Sequence, residues 1–183
     1  MQTPSVLKLR DIFSRKGYAW MNFHIVGIRS TANEKNKFDD FIGIVDGENV
    51  YWFNCTTNAG RHWLLNLMNP KGCAVLKPNQ YINAYKIGLH QGKYKALVQY
   101  APIEVYRDNN KNEIAEEIGV VDKGLFGINI HRANPNATSS LIEKWSAGCQ
   151  VINNPVQFEN FMNRIQSSGM NYFTYTLLKE SEL

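Results

Sequence analysis

Residues 38–55 read FDDFIGIVDGENVYWFNC, which is two apolar runs on either side of Asp46-Gly47-Glu48. An Asp-Gly pair between such runs is a strong signal for a β-hairpin, because both residue types accept the backbone conformations that tight turns between strands require. The stretch therefore predicts two neighbouring antiparallel strands. A β-rich fold is the first expectation for the whole chain.

Further strand patterns lie on both sides of this hairpin. Short runs rich in aromatic and β-branched residues predict strands at 18–28, 73–77, 80–90, 93–100, 103–108, 124–131, 148–152 and 171–178. His90-Gln91-Gly92 joins two of these runs and indicates a second hairpin. Most of the predicted regular structure is therefore extended.

Three helices are predicted among the strands. Helical spacing of apolar residues indicates one at 5–16, which Gly17 ends, and one at 155–166, while 62–69 is a shorter candidate. Residues 112–122 fit either a short helix or a loop. Because no internal repeat or low-complexity linker is visible, the chain is expected to form one domain, 1–183, of the mainly β (α+β) class.

The charge balance is mildly basic. Lysine and arginine number 20 against 16 acidic residues, for a net charge of +4, which favours anionic partners such as nucleic acid, acidic lipid or bacterial wall polymers without choosing among them. No nucleic-acid-binding motif is visible, and no run approaches the roughly 18 apolar residues of a membrane span. The first 20 residues lack the apolar segment of a signal peptide, so synthesis in the cytoplasm without an export signal is expected.

No motif for a metal or a phosphate group is complete. The three cysteines form no CxxC pair, and His24, His62 and His90 are scattered. Residues 88–93, GLHQGK, lack the spacing of a P-loop, and residues 108–113, DNNKNE, lack the turn glycine of a calcium loop. Neither a metal ion nor another cofactor is expected.

Residues 127–152, GINIHRANPNATSSLIEKWSAGCQVI, place a histidine and a cysteine at the two ends of a polar stretch. If Ile128 and Ile130 face the core, His131 shares the opposite strand face with Asn129. The long loop allows the strand that begins near Cys149 to lie beside His131. An imidazole within reach of a thiol can serve as its base, so the pair predicts a nucleophilic cysteine held as a thiolate.

The residues before the cysteine suit the same chemistry. Ala147 and Gly148 are small, which leaves room for a substrate and exposes backbone N–H groups to a tetrahedral oxyanion. Ser146 is placed to orient these groups or the substrate, and Trp145 either lines the cleft or packs. A purely structural interpretation remains open for Cys149, as a buried small side chain.

The flanking residues are open to the same two interpretations. His131 could equally be a core or loop residue, and Asn129 is either its orienting partner or exposed to water. Cys55 and Cys73 are predicted to be buried thiols.

The histidine and cysteine pattern resembles the signature of the L,D-transpeptidase catalytic domain, the YkuD-like family. That signature is a histidine, about 14 to 17 residues, then Ser/Thr-x-Gly-Cys; here residues 132–145 separate His131 from Ser146-Ala147-Gly148-Cys149. The resemblance implies a β-sandwich-like domain that acts on peptidoglycan stem peptides through a thioester. By motif position, Cys149 is then the nucleophile, His131 its base, and Ser146 and Gly148 shape the oxyanion site.

The chain departs from that signature at two positions. Gln150 stands where the family usually has arginine, and Arg132 follows the histidine where glycine is common. A cation for the substrate carboxylate is therefore expected from Arg132 or Lys144. These two departures leave open which molecule accepts the acyl group. An amine acceptor would give transfer, and water would give hydrolysis.

Three classes of function remain open: a cysteine-dependent enzyme of the cell wall, a non-catalytic domain and a metal-dependent amidase. Lack of an export signal favours an endolysin-like, phage-encoded peptidase that acts at the bacterial cell wall and cleaves stem or cross-bridge peptides. The alternatives are an L,D-transpeptidase that forms cross-links and a non-catalytic wall-binding or virion structural domain. A metal-dependent amidase is a third class, for which the sequence supplies no ligand set.

Overall fold

The computed structural model describes residues 2–32 and 34–183. Strands account for 38% of the chain and helices for 18%, so the fold is mainly β with a few short helices, as predicted. The elements are α1 (Val6–Lys16), β1 (Phe23–Arg29), β2 (Asp40–Asp46), β3 (Asn49–Thr56), α2 (Arg61–Leu65), β4 (Cys73–Leu76), β5 (Gln80–His90), β6 (Tyr94–Gln99), β7 (Ile103–Asp108), β8 (Val121–Gly124), β9 (Ile130–Arg132), β10 (Gln150–Ile152), α3 (Pro155–Ser167), β11 (Phe173–Lys179) and a final 3-10 turn (Glu180–Glu182).

Eight strands close into a barrel in the order β1-β11-β5-β6-β9-β10-β3-β2, and β4, β7 and β8 form a separate antiparallel sheet in the order β4-β7-β8. Two pairs in the barrel are parallel, β1 with β11 and β9 with β10. The expected β-sandwich is not confirmed. The sheet that contains the main core closes on itself, so its apolar faces meet across the interior instead of against a second sheet.

Several predicted elements are confirmed. β2 and β3 form the hairpin around Gly47, whose φ of 61° matches the predicted turn, and β5 and β6 form the second one. α1 begins after Ser5, whose hydroxyl accepts a hydrogen bond from the Lys8 N–H, and it ends at Gly17 in the left-handed conformation. The helix covers the barrel from outside, with Phe13 fully buried.

Other boundaries differ from the predictions. The helix expected over 62–69 is shorter and consists of the five residues of α2 (Arg61–Leu65). The strand expected over 18–28 begins only at Phe23. Residues 112–120 form a loop without regular structure, which resolves the alternative left open by the sequence. No helix within the described ranges 2–32 and 34–183 is both long and apolar enough to cross a bilayer.

Residues 125–129 were predicted as a strand but have no regular structure, because the side chain of Gln99 takes the place of a neighbouring strand. Its Oε1 accepts hydrogen bonds from the N–H groups of Phe126, at 2.9 Å, and Ile128, at 3.2 Å. Gly127, with φ of 72°, interrupts the extended backbone between them. Ile128 nevertheless keeps its side chain in the main core, where it is 2% exposed.

α3 is the helix predicted at 155–166, and it packs against β3, β9 and β10. Asn154 caps its first turn, and its buried face presents Phe158, Phe161, Met162 and Ile165 to the main core. Phe161 is fully buried and meets Phe53 edge to face at 5.5 Å. The helix thus supports from below the two strands that hold the candidate site.

We expect Phe161→Ala to lower the free energy of unfolding by about 3–5 kcal/mol, because it leaves a cavity beneath β9 and β10. Glu159→Ala, on the exposed face of the same helix, is the matched control and should change it by less than about 0.5 kcal/mol. Urea denaturation followed by circular dichroism measures both. Equal effects of the two substitutions would contradict the packing described.

Candidate active site

A cleft of about 630 Å³ lies between the outer face of the barrel at β9 and β10 and the three-stranded sheet. Its walls come from β4, β7, the α2 region, the hairpin turn after β5 and the loops that precede β9 and β10. The lining residues are Trp63, Met68, Asn69, Gly72, Cys73, Ala74, His90, Gln91, Arg107, Phe126, Gly127, Ile128, Asn129, His131, Lys144, Trp145, Ala147 and Cys149.

The predicted alternation before β9 is confirmed. Ile128 and Ile130 belong to the main core, whereas Asn129 and His131 point to the other side and line the cleft. Ile128 also lines the cleft. The sequence pattern was sufficient for this assignment because successive side chains of an extended chain point to opposite faces.

Parallel pairing of β9 with β10 brings Cys149 to the same wall as His131. His131 lies opposite Val151 in the register, and Cys149 precedes Val151 by two residues on the same face. Both side chains line the cleft. Among the described residues, no hydrogen bond joins the Cys149 thiol to the His131 ring, and contacts of this kind commonly tighten only when substrate is bound.

His131 is held as a neutral imidazole with one defined tautomer. Its Nδ1 lies 2.8 Å from the carbonyl oxygen of Arg132, which can only accept, so Nδ1 carries the hydrogen and Nε2 keeps its lone pair. The ring is 3% exposed. Burial, with a further contribution from His90, lowers the pKa of His131 to about 3.

His90 is a cleft residue that the sequence analysis did not assign. Its ring stacks on His131 with centroids 3.9 Å apart and an angle of 19° between the planes. The Asn129 side-chain amide lies 3.1 Å from Nδ1 of His90 and donates to it. Asn129 thus contacts His90 instead of His131, and the stack fixes the plane of the His131 ring. No spacing rule pointed to His90, because its contact with His131 depends on the tertiary arrangement of β5, β6 and β9, which are neighbours in the barrel in that order.

Cys149 is partly exposed, and its thiol is poised between two backbone groups. Sγ accepts from the N–H of Asn129 at 3.4 Å and donates to the carbonyl oxygen of Gly127 at 3.5 Å. Burial raises the pKa of Cys149 to about 11, against the smaller lowering effect of the Asn129 N–H. The thiolate expected from the sequence is therefore not the resting form, because burial disfavours charge on both the sulfur and the imidazole.

The turn Ser146-Ala147-Gly148-Cys149 is held by the Ser146 hydroxyl. That hydroxyl donates to the Cys149 carbonyl at 2.8 Å and accepts from the Gly148 N–H at 3.1 Å. Gly148 has φ of 117°, and a Cβ there would lie 2.5 Å from the Ala74 carbonyl oxygen, so only glycine fits. Ser146 is fully buried and does not line the cleft. It is a positioning residue for Cys149.

This turn also changes the expected oxyanion donors. The Gly148 N–H is already bonded to Ser146, so it is not free for a substrate oxygen. Within the described part of the chain, the N–H groups of Ala147 and Cys149 have no hydrogen-bond partner. They are the backbone donors that the turn leaves for a developing negative charge.

The basic and aromatic residues named from the sequence divide into two groups. Trp145 and Lys144 line the cleft, as expected for residues that contact a substrate. Arg132 does not line it: its guanidinium lies 4.1 Å from the centre of the Tyr94 ring and donates to the Ala133 carbonyl. Arg132 is therefore not placed for the expected role in substrate binding, because stacking on β6 turns its side chain away.

Gln150 occupies the interior of the barrel. It is fully buried, accepts a hydrogen bond from the Tyr175 hydroxyl at 2.8 Å and donates to the Gly148 carbonyl at 3.2 Å. A side chain at this position supports the turn from inside and cannot reach the cleft. Arg107, on β7, is the cleft cation that sequence reasoning missed, since nothing in its local pattern distinguishes it from an ordinary strand residue.

The remaining cysteines are buried as predicted. Cys55 lies in the main core, and burial raises its pKa well above the usual range. Burial likewise raises the pKa of Cys73 to about 12. Within residues 2–32 and 34–183, no group of three or more histidine, cysteine, aspartate or glutamate side chains could hold a metal ion.

Comparison with known proteins adds no assignment. No family model matches the chain, and neither a curated protein nor a solved structure matches it.

We expect Cys149 to be alkylated by iodoacetamide before Cys55 and Cys73, because it is the partly exposed one of the three. Its rate should rise about tenfold per pH unit from pH 7 to pH 10, since a pKa of about 11 keeps the thiol protonated over that range. Mass spectrometry of digested protein measures the rate at each cysteine. A rate that is already constant above pH 8 would show a resting thiolate and contradict this description.

The His131 ring should remain neutral between pH 8 and pH 5. Its pKa of about 3 lies below this window, so the deprotonated form that can accept a proton is present throughout. Imidazole nitrogen chemical shifts in an NMR titration measure the ionisation, and His131→Gln assigns the signals. A midpoint near 6.5, the value of an unperturbed histidine, would show that the ring is not desolvated.

Proposed function

We propose that this chain is a cysteine-dependent peptidoglycan peptidase, endolysin-like, that cleaves stem or cross-bridge peptides through a thioester. The observation that carries the proposal is the placement of Cys149 Sγ and the neutral His131 ring on one wall of the same cleft. The His131, Ser146, Gly148 and Cys149 motif supports the choice of substrate through its resemblance to the L,D-transpeptidase catalytic domain.

The first chemical step begins from an uncharged pair. As Sγ of Cys149 attacks the peptide carbonyl carbon, its proton passes to Nε2 of His131, the nitrogen that the Arg132 carbonyl leaves with a lone pair. Burial opposes separate charges on thiolate and imidazolium. The transfer is therefore coupled to bond formation, when the negative charge moves from sulfur to the carbonyl oxygen.

Backbone donors receive that charge. The N–H groups of Ala147 and Cys149 belong to the turn that presents the sulfur and have no hydrogen-bond partner among the described residues, so they are the proposed oxyanion donors. Ser146 and Gln150 hold the turn from behind, so these dipoles need little reorganisation during the reaction. Collapse of the tetrahedral intermediate expels the amine, which takes the proton from Nε2 and leaves a thioester on Cys149.

Water completes the peptidase reaction by attacking the thioester. His131 accepts a proton from that water and returns it to the sulfur as the acid is released. An amine acceptor in place of water would give the alternative function, an L,D-transpeptidase that forms cross-links. Both reactions share the thioester and the same residues, so the product distinguishes them. Action at the bacterial cell wall and a phage origin belong to this proposal.

We expect Cys149→Ala and His131→Gln each to reduce release of fragments from purified peptidoglycan by about 10³-fold or more, because they remove the nucleophile and its base. Cys55→Ala and His62→Gln are matched controls outside the cleft and should keep most of the activity. Mass spectrometry identifies the products: an acyl fragment that ends in a free acid means hydrolysis, and an acyl fragment that has gained the mass of an amine acceptor means transfer. Fragment release by the wild-type protein that is no higher than that of the two site variants and of a protein-free blank would favour the non-catalytic wall-binding function.

A further inference from the structure

The charged side chains of the cleft are both cations. Arg107 and Lys144 line it, and no aspartate or glutamate among the described residues does. Opposite walls supply them, since Arg107 is on β7 of the three-stranded sheet and Lys144 precedes the cysteine turn. A cleft with this lining attracts an anionic ligand. The two cations differ in how firmly they are held.

Two contacts hold the buried side chain of Arg107 in place. Its side chain is 7% exposed, and its Nε donates to a carboxylate oxygen of Asp122 at 3.0 Å. Its guanidinium carbon lies 4.8 Å from the centre of the Phe126 ring. Asp122 also accepts from Lys71, so one carboxylate is shared by two cations and the group keeps a net positive charge.

The terminal nitrogens of Arg107 remain available. They form no hydrogen bond with any described residue, and neither is a buried nitrogen without a partner, so solvent reaches them in the cleft. Two parallel N–H groups on a planar, immobilised guanidinium match the two oxygens of a carboxylate. Because contacts with Asp122 and Phe126 already order the Arg107 side chain, binding of a carboxylate loses little further side-chain entropy.

The other basic candidates near the site lack this arrangement. Arg132 stacks on Tyr94 outside the cleft, and Gln150 lies inside the barrel. Lys144 is exposed, and no ion pair with a described residue holds its ammonium group in place. Of the residues considered, Arg107 alone combines a fixed position, a charge and free donors.

We propose that Arg107 is the carboxylate-binding residue of the cleft and that the acyl donor bears a free carboxylate that reaches Arg107 when Cys149 attacks its carbonyl carbon. The inference rests on the proposed function and makes its substrate specific, namely a peptide whose side chain or terminus is anionic. An amidated or neutral counterpart leaves the guanidinium donors without a partner. Such a peptide is a poor acyl donor for this site.

The test uses the thiol itself and needs no knowledge of the substrate. Cys149 is alkylated at pH 9 with iodoacetate, which carries a carboxylate, and with iodoacetamide, its neutral counterpart. The ratio of the two rate constants is compared with the same ratio for 2-mercaptoethanol. We expect the ratio for Cys149 to exceed that of the free thiol by about tenfold, as one charge-assisted hydrogen bond predicts. An equal or lower ratio overturns the proposal without any variant.

Variants assign the effect to one residue. Arg107→Gln should return the ratio to that of the free thiol while the iodoacetamide rate, which reports the intact thiol and fold, stays within about twofold. Arg15→Gln, at an exposed arginine of α1, is the matched control and should leave the ratio unchanged. Lys144→Gln should lower it by less than Arg107→Gln. A larger fall with Lys144→Gln assigns recognition to the mobile lysine and overturns the proposal.

A second measurement separates this inference from the proposed function. Wild-type protein is incubated with two synthetic stem peptides that differ only in a free carboxylate or a carboxamide next to the scissile bond. Cleavage of the free acid at least tenfold faster, lost in Arg107→Gln, supports both. Equal cleavage of the two peptides overturns the role of Arg107 and leaves the peptidase proposal standing. If Cys149→Ala cleaves as well as wild type, the peptidase proposal itself fails.

Discussion

The parallel pairing of β9 with β10 is the contact on which the candidate site depends. Each strand is only three residues long, yet their register sets His131 against Val151 and so brings Cys149 to the same wall. Parallel pairing of such short strands contributes little stability by itself. The arrangement is maintained by the barrel around it and by α3 packed beneath.

Two glutamine side chains make this arrangement possible. Gln99 satisfies the backbone of the segment before β9, and this segment presents Gly127 and Asn129 to the sulfur. Gln150 links the cysteine turn to Tyr175 on the far wall of the barrel. A fully buried amide such as that of Gln150 is costly unless its donors and its acceptor find partners, and the half-buried Gln99 is hydrogen-bonded through both its oxygen and its nitrogen. Their satisfied networks fix the backbone where the chemistry is proposed to occur.

Burial affects the ionisation of His131 and Cys149 more than an ion pair between them does. The same desolvation keeps the His131 ring and the Cys149 thiol neutral, although it acts in opposite directions on their pKa values. The charged side chains that line the cleft are those of Arg107, which contacts with Asp122 and Phe126 hold in place, and of the exposed Lys144. A neutral reacting pair beside a fixed cation suits a substrate that brings its own negative charge. In the proposed reaction, proton transfer from Cys149 to His131 accompanies the attack on the substrate carbonyl.

Local pattern alone determined the hairpin around Gly47, the capped helix α1, the apolar face of α3 and the alternation that separates Ile130 from His131, because each depends on neighbours within a few residues. The motif spacing likewise predicted that His131 and Cys149 act together. Barrel closure instead of a sandwich, the loss of the strand at 125–129, and the places of His90 and Arg107 depended on residues distant in the chain. Arg132 and Arg107 look alike in sequence, and only the stacking partner of each guanidinium decides which one faces the cleft.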